Sequence, residues 1–145
     1  MRLWDKKVQY ACAALFELSL EYGGRQPVQV HAIAERQNVP TNYLVQILIA
    51  LRRAGMVDSV RGSQGGYRLA ISPERITLAM VIRIVDGPFL HPRGALQESD
   101  GRLASNWLET IEKAARDTIE RQFESVTMAD VVNRYLEPLS PTYNI

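Results

Sequence analysis

The 145-residue sequence predicts a mainly α (α+β) domain with a winged helix-turn-helix architecture. Three observations lead to this prediction. Residues 30–53 have the spacing of two helices joined by a tight turn, and a short β-hairpin with a glycine-rich tip follows them directly. Residues 103–125 then carry a continuous apolar stripe at helical spacing, which is a long helix for a domain of this size. Three helices followed by a hairpin is the element order of a winged helix.

Composition and charge limit the class of protein. Hydrophobic residues make up 46% and charged residues 23% of the chain, as in ordinary folded domains. There is neither an apolar run of membrane-spanning length nor a signal-peptide pattern, so we expect a cytoplasmic protein without membrane contact. Residues 1–75 hold ten Lys or Arg against six Asp or Glu, whereas residues 76–145 hold seven against ten. A basic front half suits a polyanionic partner.

The first helix is predicted between residues 6 and 22, where apolar residues recur at helical spacing without Gly or Pro. A second apolar stripe on this helix, which includes Phe16, is expected to contact another element or a second subunit. Residues 27–29 are predicted to be extended and to lead into a second helix at about residues 30–37.

The second helix, the turn and the third helix show helix-turn-helix spacing. Ala34 is small enough for close helix packing, Asn38 tolerates the left-handed conformation of a tight turn, and Leu44 seals the helix pair. Thr41 is expected to cap the third helix, and Gly55 to end it. A generic αα corner has the same spacing, and the hairpin that follows is what favours the winged helix.

The remaining elements follow from turn and cap signals. Strands are predicted at residues 57–60 and 67–71, with a tip over residues 61–66. Thr77 is expected to cap a fourth helix and Thr127 a last one. Three regions result: a DNA-binding domain at residues 1–86, a loop at 87–102 that is a candidate sensing region, and at 103–145 a dimerisation helix with a C-terminal helix that packs back on the first domain.

The exposed start of the third helix is the candidate reader of DNA bases. Asn42 and Gln46 can bond adenine edges, Thr41 can contact a thymine methyl or a phosphate, and the Tyr43 hydroxyl can donate to a phosphate. At the hairpin tip, Arg61 stands among glycines, which suits a narrow minor groove. The same loop could cradle a mononucleotide phosphate, although no helix N-terminus follows it.

Several segments resemble the Rrf2 family of bacterial transcription regulators. The most specific is the hairpin, Ser59-Val60-Arg61-Gly62 with Gly65-Gly66-Tyr67-Arg68-Leu69-Ala70, and the others include Ile33-Ala34-Glu35-Arg36-Gln37, Leu51-Arg52-Arg53-Ala54-Gly55 and Thr127-Met128-Ala129-Asp130-Val131-Val132. The resemblance covers nearly the whole chain. It implies a homodimeric regulator that binds double-stranded DNA and whose long helix pairs with that of its twin.

The predicted DNA-contacting residues are Arg2, Lys7, Thr41, Asn42, Tyr43, Gln46, Arg52, Arg61, Gly62, Ser63, Gln64, Gly65, Gly66 and Tyr67. The predicted dimerisation residues are Phe16, Leu103, Trp107, Leu108, Ile111, Ala115, Ile119 and Phe123.

The sequence departs from the family pattern in its cysteines. Many members hold an iron-sulfur cluster with three cysteines in the loop before the long helix, but residues 87–107 contain none here. Cys12 lies on the core-facing stripe of the first helix, which favours a buried structural thiol over a ligand. We therefore predict no cofactor and no metal. A mixed-ligand site at His91, near Asp86 and Glu98, is the weaker alternative.

A second departure is Val45, where the family often has Glu, so the DNA target cannot be transferred from relatives. An enzyme is not expected, because the chain shows no convergent acid, base or nucleophile. Two alternatives stay open: a winged helix that binds proteins instead of DNA, or a regulator that responds to a small molecule, a partner protein or another unknown effector through residues 88–102.

Overall fold

The computed structural model describes residues 3–87 and 103–137 of the chain. Its elements are α1 (Lys6–Leu20), α2 (Val30–Gln37), α3 (Thr41–Arg53), β1 (Val57–Val60), β2 (Gly66–Leu69), a short 3-10 helix (Pro73–Arg75), α4 (Leu78–Asp86), α5 (Leu103–Glu124) and α6 (Met128–Leu136). The predicted mainly α winged helix with a two-stranded wing is confirmed. Every predicted helix and strand is present, with bounds that differ by at most two residues.

The core forms around α1, which contacts α2, α3, α4, α6 and β2. Leu15 and Leu18 of α1 meet Leu44, Leu48 and Leu51 of α3, and all five side chains are almost fully buried. Burial of a leucine side chain contributes about 1.5–3 kcal/mol, so this contact holds α3 against the rest of the domain. We call the unit formed by residues 3–87 the head.

The helix-turn-helix corner is built on Asn38. This residue ends α2 in the left-handed region, at φ 52° and ψ 48°, and it is the one non-glycine residue with positive φ in the described parts of the chain. The Val39 amide then bonds back to the Ala34 carbonyl at 3.0 Å. The predicted turn is therefore formed by the predicted residue.

The prediction that Thr41 caps α3 is wrong. Pro40 occupies the cap position, in extended conformation, and its carbonyl accepts from the Leu44 amide at 3.1 Å. Thr41 is already helical and its side chain makes no cap bond. The end of α3 is as predicted: Gly55, at φ 79°, bonds to the Arg52 carbonyl at 3.0 Å.

The wing is an antiparallel hairpin in which Val57 pairs with Leu69 and Val60 with Gly66. The segment before α2 extends this small sheet, because Val28 and Tyr67 exchange two backbone hydrogen bonds of 2.8 Å. The extended conformation of residues 27–29 was predicted, but this pairing was not.

The C-terminal helices return to the head through a second backbone bridge. Leu78 donates to the Val126 carbonyl and Met128 to the Ile76 carbonyl, each at 2.9 Å. Thr127 and Asp130 form a capping box at the start of α6. As a result α6 lies against α1.

Candidate nucleic-acid interface

The first turn of α3 presents a polar surface. Thr41, Asn42, Tyr43 and Gln46 are exposed, whereas Leu44, Ile47 and Leu48 are buried. Helical periodicity places Asn42 and Gln46 on the side opposite Leu44 and Leu48, and Thr41 and Tyr43 are exposed in the first turn. The structure thus brings four of the sequence-predicted residues onto one exposed surface.

The wing tip is held beside the helix-turn-helix. Arg61, Ser63 and Gln64 are exposed. The side-chain amide of Gln29, the residue before α2, donates to the Ser63 carbonyl at 3.4 Å. Together with the Val28 bridge, this contact places the wing tip beside the start of α2.

Two glycines of the predicted DNA set are explained by the fold itself. A Cβ on Gly65 would lie 2.3 Å from the Val60 carbonyl oxygen, and one on Gly66 would lie 2.4 Å from the Val28 carbonyl oxygen. Both positions therefore need glycine for close backbone approach within the wing, whatever the wing contacts. Tyr67 is half-buried in the same pairing.

The start of α1 adds residues that the sequence analysis missed. Tyr10 packs beside Tyr43 with ring centroids 6.2 Å apart, and the Lys6 ammonium lies 5.8 Å from the centre of the Tyr10 ring. Lys6 and Tyr10 thus join the first turn of α3. Their i, i+4 spacing placed them on one side of α1, but the contact with Tyr43 is long-range and has no local signal.

Lys7 and Arg52, two further predicted DNA-contacting residues, lie at different places on the head. Lys7 is exposed, with its ammonium 4.0 Å from the Asp5 carboxylate. Arg52 is exposed at the far end of α3, about 16 Å along the helix from Thr41 at 1.5 Å per residue. Arg2 lies outside the described residues, as does the candidate sensing loop with His91.

The N-terminal part of α5 carries the predicted dimerisation stripe on an open surface. The exposed fractions are 86% for Leu103, 63% for Trp107, 59% for Leu108 and 51% for Ile111. Ala115 is also exposed, and no residue of α5 is buried. Exposed apolar side chains in this number on one helix indicate an interaction surface.

Two predicted dimerisation residues have aromatic contacts within their own chain. Phe16 meets Tyr135 of α6 edge to face at 5.1 Å, because the backbone bridge folds α6 back over α1. Phe123 meets Trp4 at 5.5 Å. Ile119 is half-buried. Phe16 therefore contacts α6 and Phe123 contacts the segment before α1, and the part of both residues in a subunit contact stays a prediction.

A match to a family model decides which proteins this chain is related to. The model described as "Rrf2: Iron-dependent Transcriptional regulator" matches residues 4–134. The chain belongs to the Rrf2 family. This Rrf2 protein is a DNA-binding transcriptional regulator, and the family consists of transcriptional regulators, which are not enzymes.

Relatives of this Rrf2 protein match it over most of their length. It is 38% identical to an HTH-type transcriptional regulator of Synechocystis sp. over 128 residues, which covers 86% of this chain and 84% of the relative. The structure of CymR, the global cysteine regulator of Bacillus subtilis, matches with TM-score 0.77 at 31% identity, over 92% of this chain and 98% of CymR. The structure of IscR of T. potens matches with TM-score 0.69 at 34% identity, over 90% and 86%.

The residues of this Rrf2 protein do not fit a cluster held by three cysteines of one chain. The sequence contains a single cysteine, Cys12. Burial raises the pKa of its thiol to about 11, which opposes the thiolate form that iron requires. Among the described residues, no three His, Cys, Asp or Glu side chains are grouped as a metal site. No helix in residues 3–87 and 103–137 is long and apolar enough to cross a membrane.

Proposed function

We propose that this regulator acts as a homodimer, with α3 of each head in a major groove of double-stranded DNA and each wing at the adjacent minor groove. The observation that carries the proposal is the bond from Gln29 to the Ser63 carbonyl, which ties the wing tip to the helix-turn-helix. A head in which the wing is held in this way can contact one DNA duplex with α3 and the wing at once.

Sequence preference is assigned to the exposed first turn of α3. Asn42 and Gln46 have the side chains that pair with adenine edges, and Thr41 can contact a thymine methyl because its side chain is not used as a cap. Arg61 at the wing, with Lys6, Lys7 and Arg52, supplies charge for phosphates and for a narrow minor groove.

Pairing of two chains is supported by the side of α5 that is left open. The contacts of α5 with the head use Glu120, Phe123 and Glu124. At 100° per residue these side chains lie on a different side of the helix from Trp107 and Ile111. Trp107 and Ile111 therefore point away from the contacts with the head, and a second α5 can cover them.

Four further features complete the proposal. The protein acts in the cytoplasm, has no enzymatic activity of its own, and holds neither a metal nor an iron-sulfur cluster. Any effector, a small molecule or a partner protein, acts by changing the distance between the heads.

The test is fluorescence anisotropy with DNA from upstream of the protein's own gene and with a scrambled duplex, each at two salt concentrations. We expect tighter, salt-sensitive binding to the upstream DNA. Arg61→Ala should weaken binding and lower the salt slope. Arg75→Ala is the matched control, because Arg75 is also an exposed arginine but lies in the 3-10 helix beside α6.

Equal and weak binding to both duplexes, with Arg61→Ala unchanged, would contradict the proposal. It would favour the other candidate, a winged helix that binds a protein partner.

A further inference from the structure

The long helix α5 is attached to the head near its C-terminal end. The backbone bridge at Val126 anchors the turn after the helix. Ahead of that anchor, two contacts from different parts of the head hold neighbouring positions of the helix. Trp4, just before α1, packs on Phe123 with ring centroids 5.5 Å apart. Arg83 of α4 bonds to Glu120 and, at 2.9 Å, to Glu124.

These two contacts determine the direction of α5. A single anchor at one end would let a helix swing, but side-chain contacts from two separate parts of the head restrain that movement. Glu120 lies about two turns before the anchor, so it restrains the angle as well as the position. We call the Trp4–Phe123 and Arg83–Glu120–Glu124 contacts the α5 clamp.

A small change in angle becomes a large displacement at the far end. From Glu120 to Leu103 the helix is about 25 Å long at 1.5 Å per residue, so a swing of roughly 10° moves its free end by about 4 Å. That movement is close to the rise of one base pair, about 3.4 Å. In a two-fold dimer both heads shift relative to each other.

We propose that the α5 clamp determines the half-site spacing that the dimer accepts, with Trp4 and Arg83 as positioning residues for DNA recognition. The inference rests on the proposed homodimer. A one-base-pair change in spacing also rotates one half-site by about 35° around the duplex, so a rigid dimer should reject it. A dimer with a loosened clamp should tolerate it.

The two contacts of the α5 clamp respond differently to salt, which allows them to be tested separately. The Trp4 arm is an aromatic contact and insensitive to salt. The Arg83 arm is an ion-pair network in which the arginine side chain is 42% exposed, so salt screens it.

The experiment measures binding to a series of duplexes in which two half-sites, found by selection from random DNA, are set at the selected spacing and at one and two base pairs more or less. The proteins are wild type, Trp4→Ala, Phe123→Leu, Arg83→Gln and the double variant Trp4→Ala/Arg83→Gln. Phe123→Leu removes the same aromatic contact from the other side, in case Trp4→Ala folds poorly. Arg134→Ala, an exposed ion-paired arginine on α6, is the control. Sedimentation reports the oligomeric state of each protein.

Wild type and Arg134→Ala should favour one spacing by about tenfold or more, since each mismatch displaces and rotates a half-site. The double variant should remain dimeric and bind the spacing series within about threefold. Raised salt should relax the preference of Trp4→Ala further than that of Arg83→Gln. Dimeric variants with the wild-type preference would overturn this inference alone. A monomeric wild type, or one that does not bind DNA, would overturn the proposed function and the inference with it.

Discussion

Gln37 donates its side-chain amide to the buried carboxylate of Glu17 at 2.6 Å, which joins α2 to α1. Arg36 contacts the other oxygen of the same carboxylate at 3.4 Å. Glu17 is 6% exposed and is one of the few buried polar residues of the described chain. A carboxylate inside the head is thus paired with two residues of the last turn of α2, next to the helix-turn-helix corner.

Replacement of Glu17 should destabilise the head. Glu17→Ala leaves the Gln37 amide without its buried acceptor, which costs about 2 kcal/mol of unfolding free energy. Glu17→Gln can still accept from Gln37 and should lose about half as much. Urea denaturation followed by circular dichroism measures both. Equal stability of the alanine variant and wild type would contradict a structural role for this contact.

Local sequence signals predicted most of this fold, because helix periodicity, caps and turn residues act over a few positions. Asn38, Gly55 and Thr127 each perform the expected role. The cap prediction failed at Thr41: threonine is a common N-cap residue, but Pro40 occupies the cap position of α3. A cap preference does not decide between neighbouring positions.

The contacts that complete the candidate interface were not predictable in the same way. Val28 with Tyr67, Tyr10 with Tyr43, and Trp4 with Phe123 join residues that are far apart in sequence. An apolar stripe indicates that its side chains pack against another element, but it does not show which element that is. Phe16 was for that reason expected at a subunit interface, and the structure adds its contact with Tyr135 of α6, which the stripe did not predict.

Gly66→Ala should displace the wing. The new Cβ would lie 2.4 Å from the Val28 carbonyl oxygen, so either β2 or the segment before α2 must move. We expect a loss of about 1–3 kcal/mol in unfolding free energy, together with weaker DNA binding. Ala70→Ser, at an exposed position just after β2, is the control for stability. Wild-type DNA affinity in Gly66→Ala would show that wing placement does not matter for binding.

Thr127→Ala should weaken the return of α6 to the head. Its hydroxyl accepts from the Asp130 amide at 3.1 Å within the capping box, and removal of such a cap costs about 1 kcal/mol. Thr110→Ala removes an exposed hydroxyl from the middle of α5 and should change stability by less than about 0.5 kcal/mol. Thermal unfolding of the two variants side by side distinguishes a cap from a surface hydroxyl.

Cys12 should make stability fall at high pH. Burial raises the pKa of the folded thiol from 9.0 to about 11, so the unfolded chain loses its proton first as pH rises. The stabilising contribution is complete below pH 9 and is lost as pH rises towards 11. The difference in urea stability between wild type and Cys12→Ala should therefore shrink across that window. Cys12 is partly buried against the core, and a constant difference would contradict that burial.

The stripe on α5 should hold the dimer together. Trp107→Glu and Ile111→Glu place a charge among exposed apolar side chains, so a paired surface would lose contact while the head stays folded. Wild type should sediment at about twice the 16.4 kDa chain mass, and each variant at the mass of one chain. Asn106→Glu adds the same charge at an exposed position on the other side of the helix and should leave the dimer intact. Because a single head has fewer phosphate contacts than two, the monomeric variants should also bind DNA with a smaller salt slope. Dimers in all four proteins would place the subunit contact elsewhere on the chain.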